Sequence, residues 1–421
     1  MMPVARPALV QGRCWATISG VSPPRRLYLH VGTRKTGTSF LQRVVYTAPD
    51  SVREQGLGLP LSGRPAHLRL LQSIGALGDD TLPAKESAAL HRRLQRNLAA
   101  TDLDRALVTH EDLAAAGPEP ISRLLGLLDD VEVHVVITAR DLARQIPSEW
   151  QQCVKSRLEV PYEEYVDAVV ERRGPDAALF WARQDIADVA ERWGSRLPPA
   201  HVHVVTVPPS GSPPDLLAER FWTVMGVPPT ALATGGGVNP SLGAEQAELL
   251  RRVNAALGER LSSVREEYRP VVKTLVRRVL TAQDGRPLRL PAALLPWCRD
   301  VSAGIVAQLQ ARGYDVVGDL ADLMPPPAAP DAPSPVPVGD SEVAAAAVEA
   351  LARVLTLQHA ARAGDDDDPE RLDVAPRDRV ADADRSDQRG VENSDDRPSA
   401  PEAASRSPRW RRAVAARLPR R

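Results

Sequence analysis

The sequence contains few cysteines and few aromatic residues, and each scarcity excludes a class of protein. Cys14, Cys153 and Cys298 lie far apart and are odd in number, so we expect no disulfide framework and a reducing, cytoplasmic location. Aromatic residues make up only 4% of the 421 residues, and the formal net charge is −1. Because neither stacking platforms nor a basic bias are present, no nucleic-acid partner is predicted.

Long apolar runs are also missing. Residues 1–20 hold no uninterrupted apolar core of signal-peptide length, and no later stretch reaches the roughly 20 residues that span a bilayer, so no transmembrane segment is expected. The eight histidines are scattered, and no spacing of Cys, His and carboxylate residues resembles a metal site, so no metal is predicted. His201 and His203, on one face of a predicted strand, are interpreted as sheet surface.

Changes in composition divide the chain into three parts. Residues 1–25 form a proline-containing extension, and residues 26–325 alternate β-branched runs with helical patterns. This alternation predicts an α/β domain of three layers, in which helices cover both faces of a mostly parallel central sheet. Residues 326–421 are rich in Pro, Ala, Asp and Arg and are predicted to be mostly disordered, with one alanine-rich helix over 342–363.

The final residues of the tail gather several arginines around Trp410, Val414 and Leu418. One interpretation is a weak contact with a membrane surface or an acidic partner. The other, which we favour because the apolar face is small, is a solvated basic end.

Residues 27–42, LYLHVGTRKTGTSFLQ, combine a strand, a turn rich in Gly, Thr and Lys, and a helix. The N–H groups of such a turn converge and the helix dipole adds positive charge, so the segment predicts a phosphate or sulfate site. Lys35 adds a full charge, and it is one of only four lysines in a chain with the arginine bias of a GC-rich bacterial genome. Gly32 and Gly37 have the spacing of the nucleotide-triphosphate P-loop, but Thr38 stands where that motif has its lysine.

A second pattern follows about a hundred residues later. Residues 131–138, VEVHVVIT, predict a buried parallel strand, Arg140 lies just after it, and Ser148 follows at or inside the next helix. A planar guanidinium suits phosphate oxygens, and a hydroxyl can donate a further hydrogen bond. The pair alone has little specificity, but it gains specificity by following a phosphate loop with a strand before each motif.

The loop Lys-Thr-Gly-Thr-Ser resembles the 5′-phosphosulfate loop of the sulfotransferases that use 3′-phosphoadenosine 5′-phosphosulfate (PAPS), and Arg140 with Ser148 resembles their 3′-phosphate site. The resemblance covers residues 26–325 and places Phe40 where cytosolic members stack a tryptophan on adenine. It implies in-line transfer of a sulfuryl group to a hydroxyl or amine, with PAPS as co-substrate and no metal required. The cofactor-binding residues that it implies are Arg34, Lys35, Thr36, Gly37, Thr38, Ser39, Phe40, Arg140 and Ser148.

Candidate catalytic residues besides Lys35 follow the short strand predicted over residues 106–109. His110 and Glu111 come at its carboxyl end, the edge at which open α/β sheets bind ligands. Cytosolic sulfotransferases carry a Thr-His there, with histidine as the general base, whereas glycan-modifying members use glutamate. A neutral imidazole accepts a proton near pH 7 more readily than a carboxylate does, so His110 is favoured and Glu111 is the alternative.

Two other functions stay open from the sequence. A P-loop nucleotide kinase or NTPase would share the strand, loop and helix, and a non-catalytic nucleotide-binding or interaction protein would share the fold. The acceptor of a sulfotransferase here would be a hydroxyl-bearing small molecule, lipid or carbohydrate. Candidates for its pocket flank or follow the second motif: Trp150, Lys155, Trp181, Arg183 and Asp185.

Overall fold

The computed structural model describes residues 25–100, 102–228, 232, 241–326 and 337–363. Within them lie six strands: β1 Arg26–Gly32, β2 Leu57–Gly58, β3 Arg105–Thr109, β4 Glu132–Ala139, β5 Val202–Thr206 and β6 Asp315–Val317. They form one sheet in the order β2-β3-β1-β4-β5-β6, and every neighbouring pair is parallel.

Helices connect the strands and continue beyond β5. The first seven are α1 Thr38–Thr47, α2 Pro49–Glu54, α3 Gly63–Ile74, α4 Ala84–Ala100, α5 Pro118–Gly126, α6 Leu142–Val154 and α7 Tyr162–Val170. The others are α8 Gly174–Gln184, α9 Ile186–Gly194, α10 Leu216–Val224, α11 Ala244–Leu257, α12 Arg269–Leu275, α13 Leu295–Arg312 and α14 Asp340–Ala363. Short 3₁₀ segments include Glu111–Ala115 directly after β3, and π-helical turns flank α12.

Alternation along the strands produces two cores. Side chains such as Leu27, Leu29 and Val135 enter a large core with the helices α3 to α9 and α11 to α13, whereas Tyr28 and Val136 enter a smaller core with α1, α2 and α10. Successive strand residues point to opposite faces, so a strand buried on both faces reads as a nearly continuous apolar run. The predicted three-layer α/β fold with a mostly parallel sheet is confirmed.

The topology brings the sequence motifs to one edge of the sheet. The strand β1 lies between β3 and β4, and the three run parallel, so their carboxyl ends are adjacent. The phosphate loop follows β1, His110 follows β3 and Arg140 follows β4. These are the positions at which doubly wound sheets form ligand crevices.

The alanine-rich helix predicted over 342–363 is α14, and it packs against the domain. Arg252 Nη1 lies 2.7 Å from Asp340 Oδ1, Arg286 Nη2 lies 2.9 Å from Glu342 Oε1, and Ala350 is buried. None of the helices in the described ranges combines the length and apolarity needed to cross a bilayer. Residues 1–24 of the predicted extension 1–25, Cys14 among them, and residues 327–336 and 364–421 of the predicted tail, with its basic end, lie outside the described residues.

Candidate active site

The phosphate loop begins at Gly32, and any other residue at this position would require the backbone around it to move. Gly32 has φ 110°, and a β carbon there would lie 2.8 Å from the carbonyl oxygen of Glu111. A side chain would therefore be strained by its backbone conformation and would also collide with backbone atoms. The close approach places the loop directly against the segment that carries His110 and Glu111.

Thr33 and Thr36 connect the loop to β4 by hydrogen bonds. The N–H of Thr33 donates to the carbonyl of Thr138 at 2.8 Å, and the hydroxyl of Thr36 donates to the carbonyl of Thr33 at 2.5 Å. The Thr36 hydroxyl also lies 2.6 Å from the Thr138 hydroxyl, and Thr36 is fully buried. The side chain of Thr36, predicted to bind cofactor, is thus engaged in shaping the loop.

The helix α1 begins without a side-chain cap. Its N-cap residue is Gly37, with φ 85°, and no side chain accepts from the first-turn N–H groups. The N–H of Phe40 donates to the carbonyl of Gly37 at 2.9 Å, whereas Thr38 and Ser39, at the first two helical positions, have no carbonyl four residues earlier within the helix. Such N–H groups make a helix N-terminus attractive to an anion. Ser39 is exposed beside them, Thr38 is buried, and Phe40 is partly buried against the smaller core.

Arg140 connects the two predicted phosphate motifs. Its Nη1 donates to the carbonyl oxygen of Lys35 at 3.1 Å and to the hydroxyl of Ser148 at 3.4 Å. Ser148 in turn donates to the carbonyl of Arg144 at 2.8 Å, which fixes its hydroxyl on α6. The Nε of Arg140 is buried and has no hydrogen-bond partner among the described residues. A buried donor of this kind is costly unless a ligand or water satisfies it.

Positive charge is concentrated around the loop. Burial lowers the pKa of Lys35, the charges of Arg140 and Arg34 add to this effect, and Glu149 opposes it. Burial and Arg144 lower the pKa of Arg140 to about 10, and burial with the charge of Lys35 lowers the pKa of Lys155 to about 8. Cations held out of water and close to one another favour an anionic ligand between them.

Arg34 belongs to a buried ion network behind the loop. Its guanidinium lies 2.7 Å from Asp112 Oδ1 and 3.5 Å from Glu149 Oε1, and Arg183 lies 3.2 Å from the same Glu149 oxygen. Burial alone would raise the pKa of Asp112, but Arg34 and Arg183 hold it well below its usual range. The carbonyl of Arg34 also accepts hydrogen bonds from Gln145 and from Gln184.

The ion network determines whether the guanidinium of Arg34 is available to a ligand. Because carboxylates engage its guanidinium, Arg34 fixes the conformation of the loop rather than offering a free charge at its surface. Lys35, the next residue, has φ 63°, which costs a non-glycine residue about 1–2 kcal/mol and needs such support. Glu149, which directly follows Ser148, was not singled out from the sequence; a carboxylate on the apolar side of an amphipathic helix was the available signal.

His110 and Glu111 lie beside the loop, and they differ in protonation state and in hydrogen bonding. His110 caps the 3₁₀ segment, its Nδ1 accepting from the N–H of Asp112 at 3.2 Å, and burial lowers the pKa of its imidazole although Glu111 and Asp112 oppose this. Burial would raise the pKa of Glu111, but His110, Arg64 and a 2.8 Å hydrogen bond from Gln42 bring it below its usual value. His110 is thus neutral near pH 7, and Glu111 is a weakly basic carboxylate.

Only two of the five predicted acceptor residues lie near the loop. The charge of Lys35 contributes to the lowered pKa of Lys155, and Arg183 belongs to the ion network. Trp150 and Trp181 are core residues whose indole N–H groups donate to the carbonyls of Val160 and Val169, and Asp185 caps α9. Residues two apart on a helix point in nearly opposite directions, so the cavity of about 800 Å³ lined by Trp150 lies on the side of α6 away from Ser148.

Comparisons with known proteins give one structural likeness. A crystal structure of a sulfotransferase from Alicyclobacillus acidocaldarius is similar to this chain at 18% sequence identity and a TM-score of 0.34, covering 58% of this chain and 100% of that one. No known family model and no curated protein sequence matches the chain.

Proposed function

We propose that this chain is a sulfotransferase that moves the sulfuryl group of PAPS to a hydroxyl of a small-molecule, lipid or carbohydrate acceptor. The observation that carries the proposal is the position of Arg140, which contacts both the carbonyl of Lys35 and the hydroxyl of Ser148. One guanidinium therefore joins a loop suited to one phosphate-like group with a side-chain pair suited to another. A donor with phosphate groups at both the 5′ and 3′ positions needs both sites.

The residues present fit such a nucleotide. The uncapped start of α1 and the amine of Lys35 would hold the 5′-phosphosulfate, and the unpartnered Nε of Arg140 with the hydroxyl of Ser148 would hold the 3′-phosphate. Phe40 is the candidate for contact with adenine. Thr36 and Arg34 contribute by shaping the loop, since both side chains are engaged by the protein.

Lys35 has the central electrostatic role in this scheme. When bound, PAPS supplies the sulfuryl group and a nucleotide leaving group. Lys35 and the first N–H groups of α1 stabilise the negative charge that develops on the leaving oxygen, and they are already oriented by Arg140 and by the hydrogen bonds to Arg34. Because the loop is held before any ligand arrives, little reorganisation is required during the reaction.

His110 is the residue that we propose as proton acceptor. Its Nδ1 receives a hydrogen bond from Asp112, so the neutral ring carries its proton on Nε2. For Nε2 to accept a proton, the ring must adopt the other tautomer and lose the hydrogen bond from Asp112. That bond is worth about 1 kcal/mol, so the tautomer change lowers the rate roughly fivefold. General-base catalysis contributes about a hundredfold to ten-thousandfold, which outweighs this penalty. Glu111 stays the alternative, disfavoured by its lowered pKa.

A kinase or NTPase fits the described residues less well. Such an enzyme needs a lysine after the second glycine and usually a carboxylate at a strand end for Mg²⁺. Thr38 occupies the first position, and the strand-end carboxylates Glu111, Asp112 and Asp141 are paired with Arg64, Arg34 and Arg144. Freeing Asp112 for a metal would weaken the buried network with Arg34 and Arg183, and freeing Asp141 would remove a carboxylate partner of Arg144.

Calorimetric titration of the full chain with 3′-phosphoadenosine 5′-phosphate, ADP and ATP with Mg²⁺ tests the proposal. The 3′-phosphorylated nucleotide should bind at least about tenfold more tightly than ADP, because charged hydrogen bonds contribute roughly 1.5–3 kcal/mol. Sulfuryl transfer is then measured with labelled PAPS against a panel of hydroxyl and amine acceptors. Preference for ATP with Mg²⁺ would favour the NTPase, and nucleotide binding without transfer to any acceptor would favour the non-catalytic protein.

A further inference from the structure

Three histidines and two carboxylates meet at the amino-terminal edge of the sheet, the edge opposite the phosphate loop. Glu132 and His134 lie at the start of β4, His201 directly precedes β5, His203 lies within β5 and Asp315 begins β6. The strand pairing places Val136 beside His203 and His203 beside Asp315, so three separate segments contribute to the cluster. Their spacing in the sequence gives no metal-site pattern, because no segment supplies more than two of the groups.

The side chains form a continuous series of short contacts. Glu132 Oε1 lies 2.7 Å from His134 Nε2, His134 Nδ1 lies 2.8 Å from His203 Nε2, and His203 Nδ1 lies 2.6 Å from Asp315 Oδ2. The ring of His201 stacks on that of His134, with the centroids 4.3 Å apart. Glu132 and His201 are partly exposed, so solvent reaches the cluster, whereas His134 is buried.

Counting hydrogens shows that this series lacks one. Each of the three contacts needs a hydrogen between its heavy atoms, and both terminal carboxylates only accept. Two neutral imidazoles supply one N–H each. If His203 donates to Asp315, its Nε2 accepts from His134, and His134 Nε2 then faces Glu132 with a lone pair on both sides. The contact between Glu132 and His134 can therefore be filled either by an additional proton on His134 or by a metal ion.

We propose that Glu132, His134 and His201 bind a divalent transition metal, with Zn²⁺ the expected ion, and that His203 and Asp315 position His134. One ligand atom from each of the three residues lies within 4.8 Å of the other two. Tetrahedral zinc with bonds of about 2.0–2.2 Å separates two ligand atoms by roughly 3.3–3.6 Å. Glu132 Oε1 and His134 Nε2, now 2.7 Å apart, would therefore move apart, and the His201 ring would rotate from its stack on His134 to complete the site. Two imidazoles and one carboxylate are a preferred zinc donor set, and water would complete four-coordination.

The surroundings of His134 match those of a metal-binding histidine. Such a histidine donates its second N–H to a carboxylate, carbonyl or water, and this partner sets the tautomer and raises the basicity of the ligating nitrogen. Here His134 Nδ1 lies 2.8 Å from His203 Nε2, and His203 Nδ1 lies 2.6 Å from Asp315 Oδ2, so the tautomer that frees His134 Nε2 for a metal would donate from His134 to His203 and from His203 to Asp315. Arg26 also approaches Glu132, with Nε 3.2 Å from Oε1, but it is half exposed and can turn into solvent.

The position of the site indicates a structural role. A metal held by Glu132, His134 and His201 would tie the start of β4 to the segment that leads into β5. The phosphate loop, His110 and Arg140 lie at the carboxyl ends of β1, β3 and β4, on the opposite edge of the sheet. We therefore expect metal binding to stabilise the sheet and to leave nucleotide affinity unchanged.

Zinc titration of the full, chelator-treated chain tests the site. We expect one equivalent of Zn²⁺ to bind, His201→Ala to weaken binding by more than about a hundredfold, and Asp315→Asn to weaken it by about tenfold to a hundredfold without removing a ligand. His359→Ala is the matched control, because His359 is exposed on α14 and outside the cluster, and it should bind Zn²⁺ like the unaltered chain. Bound Co²⁺ should show the strong visible absorption of four-coordination.

Two outcomes would overturn the metal site. The first is Zn²⁺ binding that His201→Ala leaves unchanged. The second is an absence of Zn²⁺ binding by the folded, unaltered chain; ¹⁵N chemical shifts that show both ring nitrogens of His134 protonated would then identify the proton that fills the contact. Affinity for 3′-phosphoadenosine 5′-phosphate, measured on the same samples, reports folding of each variant and tests the proposed function separately.

Discussion

The Nη1 of Arg140 donates to the carbonyl oxygen of Lys35 across 105 residues of sequence, at 3.1 Å. The same nitrogen contacts Ser148. The residue predicted to hold one phosphate therefore supports the backbone of the residue predicted to stabilise the other. Substitutions at Arg140 should consequently separate its effect on 3′-phosphate binding from its effect on the loop.

Arg140→Ala should weaken affinity for 3′-phosphoadenosine 5′-phosphate by roughly ten- to a hundredfold, because charged hydrogen bonds to the 3′-phosphate are lost. Affinity for ADP, which lacks that phosphate, should change much less. Calorimetry with both nucleotides measures the difference. Arg196→Ala, which removes an exposed arginine bonded to Ser122, is the control. Equal losses for the two nucleotides would mean that Arg140 acts only by supporting the loop.

Lys35→Ala should lower sulfuryl transfer by about a hundredfold to a thousandfold while the protein stays folded, the usual effect of removing one preorganised charge-stabilising group. Transfer from labelled PAPS measures the loss, and circular dichroism reports the fold. Lys85→Ala is a matched control, because Lys85 is exposed on α4. Near-normal turnover by folded Lys35→Ala would contradict the mechanism.

His110→Ala should lower turnover by about a hundredfold to ten-thousandfold with little effect on nucleotide affinity. The pKa of His110 is lowered by burial, so the base form persists to more acidic pH and the acidic limb of the rate profile should lie below the ordinary imidazole value of about 6.5. That limb should disappear in His110→Ala. If Glu111→Gln abolishes turnover and His110→Ala retains it, the carboxylate is the base.

Deprotonation of Lys155 should weaken nucleotide binding at alkaline pH. Its pKa is lowered to about 8 by burial and by Lys35, so the amine is charged below that pH and loses its charge as the pH rises through it. Nucleotide affinity measured from pH 7 to 9.5 should decline in the unaltered chain. Lys155→Arg, which stays charged, should remove this decline. The same alkaline decline in both proteins would assign it to another group.

Gly32→Ala should destabilise the protein more than Gly78→Ala does. Both glycines have positive φ, but a β carbon at Gly32 meets the Glu111 carbonyl at 2.8 Å, whereas one at Gly78 meets nothing within 4 Å. Gly78→Ala should cost about 1–2 kcal/mol of unfolding free energy from backbone strain alone, and Gly32→Ala should cost more. Denaturant unfolding measures both. Equal costs would show that the loop can move away from Glu111.

The sequence by itself determined the strand, loop and helix around Lys35, the strand and helix around Arg140 and Ser148, and the α/β class of the sheet. These features depend on local backbone preference and on apolar periodicity, which neighbouring residues express directly. The order β3-β1-β4 came from the tertiary structure, and it places the three motifs at adjacent carboxyl ends, where open α/β sheets bind ligands.

The ion pairing and the pKa values of the charged groups were decided by the tertiary structure alone. Arg34 is withdrawn from the loop surface because Asp112 and Glu149, 78 and 115 residues away, engage its guanidinium. His110 has one nitrogen occupied by the N–H of Asp112, and Glu132, His134 and His201 meet only after β4 and β5 pair. Burial and the proximity of other charges govern pKa values and ligand sets, and both arise from contacts between segments that sequence spacing does not encode.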